Sequence, residues 1–120
     1  MSNYKFILNE EFKKFEYFLC NIKQFFKENS NTIHKARNEL KVIEHENQKL
    51  VVKYFKIPYF INKIVYTFFK KSKAQKSYEY ALKIKDFTPK PILFIEFYKF
   101  GLLDDSYFVS ENFYYYFTII

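Results

Sequence analysis

Lys53 closes the run Leu50-Val51-Val52-Lys53, and the next acid along the chain is Glu79, alone within a lysine-rich helical pattern. A strand holds an ammonium group rigidly, and a single carboxylate can restrict its flexible stem. That pairing suits a cation that must be kept beside phosphate oxygens. Between Lys49 and Lys85 stand ten lysines and that one carboxylate, so the segment carries +9, whereas the whole chain carries +7 and the remainder therefore sums to −2. The positive field has a definite address. Spacing alone leaves a plainer arrangement open, in which Glu79 makes an exposed i,i+4 pair with Lys83, worth a few tenths of a kcal/mol, and Lys53 is solvated.

The elements that must carry these groups can be read from period and punctuation. Tyr4 to Leu8 forms a short apolar strand, and Asn9 followed by Glu10 and Glu11 makes a cap with acids in a first helical turn. Phe12, Phe15, Leu19, Ile22 and Phe26 recur at steps of three and four, which predicts one amphipathic helix over 10–27 with Cys20 as a buried thiol. Thr32 to His45 is extended, turns at Glu46-Asn47 and returns as 49–57, an antiparallel hairpin. On its second strand Leu50, Val52 and Tyr54 share one face, and Val51, Lys53 and Phe55 the other. Pro58 suits the first turn of a helix whose apolar face is Ile61, Ile64, Val65, Phe68 and Phe69, and a second helix from Ser72 carries Ala74, Tyr78, Ala81 and Leu82. After Thr88-Pro89-Lys90-Pro91 come two further strands, 92–98 and 106–112, joined through a turn around Gly101, with Asp104 and Asp105 flanking that turn.

The chain has 120 residues, about one domain, and its seventeen Phe and twelve Tyr supply ample apolar surface for a core. One cysteine excludes an intrachain disulfide and fits a reducing compartment. No apolar run approaches the ~18 residues of a membrane span, and Met-Ser-Asn-Tyr-Lys lacks the layout of a signal peptide, so the reading is cytoplasmic. His34 and His45 lack a Cys, His or acid partner at ligand spacing, and no metal site is expected.

Strand, turn, strand, helix, strand, strand, with lysine on the second hairpin strand and glutamate on the helix, is the order of a protein kinase amino-terminal lobe. Six segments extend the likeness: Lys35-Ala36-Arg37-Asn38-Glu39-Leu40, Val52-Lys53-Tyr54-Phe55-Lys56-Ile57-Pro58, Phe60-Ile61-Asn62-Lys63-Ile64, Phe68-Phe69-Lys70-Lys71-Ser72-Lys73-Ala74, Ser77-Tyr78-Glu79-Tyr80-Ala81 and Thr88-Pro89-Lys90-Pro91-Ile92. Together they resemble the amino-terminal half of the lipopolysaccharide kinase family, especially its Bacteroidetes-type members, over residues 4–113. The resemblance implies a protein-kinase-like α+β fold: an antiparallel sheet of about five strands packed with a helix, plus an extra amino-terminal strand and helix. It implies phosphoryl transfer from ATP, with magnesium, to a Kdo or heptose hydroxyl of the lipopolysaccharide inner core. Lys53 would bind phosphate, Glu79 would be its partner, Val51 would line the adenine, and the strand 107–112 would lead to the adenine-contacting hinge.

The chain departs from the pattern in two places. Lys35-Ala36-Arg37-Asn38 stands where many kinases have a glycine-rich phosphate loop, and Arg37 there either contacts a phosphate through its fork of donors or is solvated in the turn. The catalytic-loop Asp and the magnesium-binding Asp belong to a carboxy-terminal lobe and have no counterpart; Asp86-Phe87-Thr88 has Thr for the Gly of Asp-Phe-Gly and precedes the last two strands. The expected organisation is a strand and helix over 1–31, a kinase-like lobe over 32–113, and a truncated linker or tail over 114–120. The carboxy-terminal catalytic lobe is expected to be absent, as after a frameshift, a premature stop or a partially read gene. Such a fragment is expected to have no catalytic or metal-binding residues of its own. The alternative is a small basic binding module, in which Lys63, Lys70, Lys71, Lys73, Lys76, Lys83 and Lys85 meet an anionic membrane surface or nucleic acid, although no nucleic-acid recognition motif is present. The two readings are compatible at a membrane, because the family's lipid-linked acceptor lies at the cytoplasmic face of the inner membrane.

Overall fold

A computed structural model describes residues 3–28, 32–35, 38–45, 48–57, 60–84 and 90–111. Six strands, β1 (Asn3–Leu8), β2 (Thr32–Lys35), β3 (Asn38–His45), β4 (Gln48–Lys56), β5 (Pro91–Lys99) and β6 (Leu102–Glu111), form one antiparallel sheet in the order β1-β5-β6-β4-β3-β2. The architecture is α+β, as expected. The amino-terminal strand is continuous with the rest, since β1 pairs with β5 from Asn3 opposite Tyr98 to Leu8 opposite Leu93. The extended segment 32–45 is two strands rather than one, and β2 folds back on β3 at the sheet edge.

The segment 10–27 keeps its apolar stripe but is not one helix. It consists of a 3-10 turn (Glu10–Phe15), α1 (Glu16–Cys20) and α2 (Ile22–Glu28), broken where Phe12 (φ −117°, ψ 30°) and Asn21 (φ −120°, ψ 22°) leave helical geometry. Asn9 fixes the entry: its Oδ1 accepts from the Glu11 N–H at 3.2 Å, and its Nδ2 donates to the Pro91 carbonyl at 2.9 Å. Asn21 stabilises the second break by donating from Nδ2 to the Tyr17 carbonyl at 3.0 Å. On a straight helix at 100° per residue, Phe18 would lie at the margin of the stripe made by Phe12, Phe15, Leu19, Ile22 and Phe26. The breaks wrap the chain over the sheet so that all six are buried, against Ile43, Leu50, Val52, Leu93, Ile95, Tyr107 and Val109. Cys20 falls outside this wrap and is exposed, which corrects the expectation of a buried thiol.

The opposite sheet face is covered by α4 (Lys73–Lys83). Ser72 caps it, its Oγ accepting from the Gln75 N–H at 3.0 Å, and Ala74, Tyr78 and Ala81 pack on Phe55, Phe94 and Phe108. Leu82, expected in this stripe, is exposed, since a helix lying on a flat sheet buries a narrow strip. The preceding helix, α3 (Phe60–Phe68), forms where expected but buries no residue fully.

The β5–β6 hairpin closes on Phe100 and Gly101, both left-handed with φ of 55° and 78°. Gly101 adopts this without a Cβ clash, whereas Phe100 bears a cost of about 1–2 kcal/mol for the left-handed region. β6 begins at Leu102, four residues earlier than expected, so Asp104 and Asp105 are strand residues and do not flank the turn.

Candidate functional site

Lys53 sits on β4, an interior strand, opposite Leu40 of β3 and Phe108 of β6. Cross-strand neighbours share a sheet face, and Phe108 belongs to the cluster under α4 together with Phe55, two residues beyond Lys53. The ammonium therefore emerges on the α4 side of the sheet, and the residue is exposed. Val51, on the same face, is buried and lies opposite Val42 and Ser110.

Glu79 is on α4 but does not meet Lys53. Its Oε1 accepts from Lys71 Nζ at 2.8 Å and its Oε2 from Gln75 Nε2 at 3.0 Å. The hydrogen bond from Lys71, and after it that from Gln75, lowers the carboxyl below its ordinary pKa. Five residues beyond Ala74, Glu79 points about 140° around the helix from the side that faces the sheet. Two of the four expected site residues, Lys53 and Val51, thus share a strand face, and Glu79 occupies the outer side of the covering helix. It pairs with Lys71 instead of the expected Lys53 or Lys83. Arg37, the fourth, lies outside the described residues, as do Glu46-Asn47, Pro58, Lys85, Asp86-Phe87-Thr88 and the tail from Asn112.

A second polar cluster, on the opposite sheet face, was not anticipated. Asp105 is only 7% exposed; its Oδ2 accepts from the Tyr54 hydroxyl at 3.0 Å, and Lys23 Nζ stands 3.9 Å from its Oδ1. Burial raises the Asp105 carboxyl, with the charge on Lys23 and the Tyr54 hydrogen bond opposing. Tyr54 and Tyr107 are both raised, first by burial and then by the charge on Asp105. Extending the period-two pattern from Val109 and Tyr107 back through Asp105 to Leu103 is the signal that would have found this buried carboxylate.

That raised value sets the sign of the pH dependence. The folded Asp105 titrates above the ordinary 3.8, so its favourable contribution is complete below 3.8 and is lost as pH rises through the raised folded value. Asp105→Asn is accordingly expected to be more stable than the parent at neutral pH, with the advantage shrinking toward pH 3.8 and below. Thermal melts across that range check this, and an advantage that grows on acidification would contradict it.

Among the described residues no group of three or more His, Cys, Asp or Glu could hold a metal ion. His45 instead packs among Phe15, Tyr17, Phe18 and Phe25, with ring centroids 5.2–6.5 Å away. No described helix is long and apolar enough to cross a membrane. No family model, curated protein or solved structure matches the chain.

Proposed function

We propose that β2 to β6 with α4 form the nucleotide-holding amino-terminal lobe of a kinase of the lipopolysaccharide core sugar type, with Lys53 as the cation for the ATP phosphates. The observation that carries this reading is the position of Lys53: exposed on an interior strand, on the sheet face that α4 covers, in the order hairpin, two helices, hairpin. A strand flanked on both sides cannot drift, so the ammonium has a fixed origin from which to reach a polyphosphate. Val51, buried on the same face, is assigned the adenine-lining position by the resemblance. Glu79 is the partner assigned by the resemblance, and pairing with Lys53 requires α4 to turn and the Lys71 and Gln75 bonds to break. No step through magnesium is assigned to residues of this chain. Transfer to a Kdo or heptose hydroxyl is the activity that the resemblance implies, and no residue of this lobe is assigned to that step.

Titration of the purified chain with ATP tests the assignment. Lys53→Ala is expected to weaken binding by about tenfold or more, as for loss of one charge-assisted contact, whereas Lys70→Gln/Lys73→Gln leaves it unchanged. Equal affinity in Lys53→Ala would remove Lys53 from the role. Loss confined to the Lys70/Lys73 variant would transfer nucleotide binding to the helices.

A further inference from the structure

Helix α3 leaves much of its apolar surface uncovered. Two of its attachments to the sheet are polar: Lys63 Nζ donates to Asp104 Oδ1 at 2.6 Å, and Thr67 Oγ1 accepts from the Leu103 N–H at 2.7 Å. Those two residues lie one turn apart on the inner side of the helix. The apolar side expected to pack inward is covered only in part: Ile64 and Val65 are half-buried, but Ile61 is 73%, Phe68 67% and Phe69 79% exposed, and Phe60 is also exposed. Exposed large side chains gathered on one helix signal a surface that is covered in use.

The residues adjoining this helix indicate the chemistry of the cover. Phe68-Phe69 runs directly into Lys70-Lys71-Ser72-Lys73, and Lys76 and Lys83 continue along α4, all of these lysines exposed. Lys71 is matched by Glu79, and no ion pair engages Lys70, Lys73, Lys76 or Lys83 among the described residues. Aromatic side chains beside unmatched ammonium groups fit an anionic bilayer, where the rings enter the headgroup boundary while the lysines remain with the phosphates. A second copy would bring the same positive charges face to face. A nucleic acid would offer phosphates but no apolar layer for Ile61.

We propose that α3, with the corner at 68–73, docks this protein on an anionic lipid surface. The proposal is independent of nucleotide binding by Lys53.

Co-sedimentation with vesicles tests it. The chain is expected to bind phosphatidylglycerol-containing vesicles, to release them as salt rises, and to ignore pure phosphatidylcholine. Phe68→Ser/Phe69→Ser should reduce binding by about tenfold or more, given the apolar area withdrawn. Lys70→Gln/Lys73→Gln/Lys76→Gln should also reduce it and flatten its salt dependence. These positions are exposed, so melting temperatures identify any variant that fails to fold, and the lysine set then stands alone as the test. Equal binding to neutral vesicles, or binding unchanged by both variants, would overturn the proposal. So would a lipid-free dimer, or binding to a single-stranded oligonucleotide, that the Phe68/Phe69 variant abolishes.

Discussion

Phe18→Ala is expected to remove about 3–5 kcal/mol of stability, the range for emptying a fully buried phenylalanine site. The ring is wholly enclosed, with centroids 5.0 Å from Phe25 and 5.2 Å from His45. It lies in the amino-terminal segment yet belongs to the same cluster as Leu50, Val52 and Val109 of the central strands. The cost should therefore appear in the single unfolding transition of the whole domain, whose total stability is on the order of 5–15 kcal/mol. Urea unfolding measures it, with Tyr17→Ala as the exposed neighbour expected to lose little. A loss below about 1 kcal/mol, or a separate early transition, would show that the amino-terminal helices are an appendage.

The second large effect is expected at Lys41, which is 8% exposed. Its Nζ donates to the Phe26 carbonyl at 2.6 Å, lies 4.3 Å from the Phe26 ring centroid and stands 3.7 Å from Glu39 Oε2. The lysine thus fastens α2 to β3 by satisfying a carbonyl near the helix end that α2 itself leaves open. Lys41→Met keeps most of the stem but deprives that carbonyl of its charged donor, at an expected cost of about 2 kcal/mol. Lys70→Met, on an exposed residue, should lie within about 0.5 kcal/mol of the parent. Equal melting temperatures for the two variants would show that the buried lysine contributes no more than a surface one.

The residues that were legible in the sequence were those whose period alone decides their placement. Phe12, Phe15, Leu19, Ile22 and Phe26 are all buried, and the two faces of β4 divide as alternation requires. Period reports that a side chain lies on a stripe, not which way the stripe faces. The α3 pattern is correctly helical, yet Lys63 and Thr67 bond to Asp104 and the Leu103 N–H, and the helix so held covers Ile64 and Val65 only partly and leaves Ile61, Phe68 and Phe69 exposed. Similarly, Glu79 had the right element and the wrong neighbour, because Lys71, eight residues back and before the helix start, lies beyond any i,i+4 rule. Cys20 lies about 120° from the centre of the Phe12 to Phe26 stripe even on a straight helix, so its exposure agrees with the period and not with the buried reading, and Asp105 is obscured when the turn is placed too late.

The two sides of the sheet are gripped unequally. One side holds the broad aromatic cluster beneath α1 and α2; the other holds α4 through Ala74, Tyr78 and Ala81, two of them among the smallest side chains. Small side chains let a helix approach the sheet closely, and Tyr78 adds the one large ring that α4 contributes to this cluster. The protein is therefore covered by a broad cluster on one side and a narrow one on the other, and the helix over the narrow one carries Glu79. To bring that carboxylate to the sheet, α4 must turn through a large angle and withdraw Tyr78 from its place against Phe94.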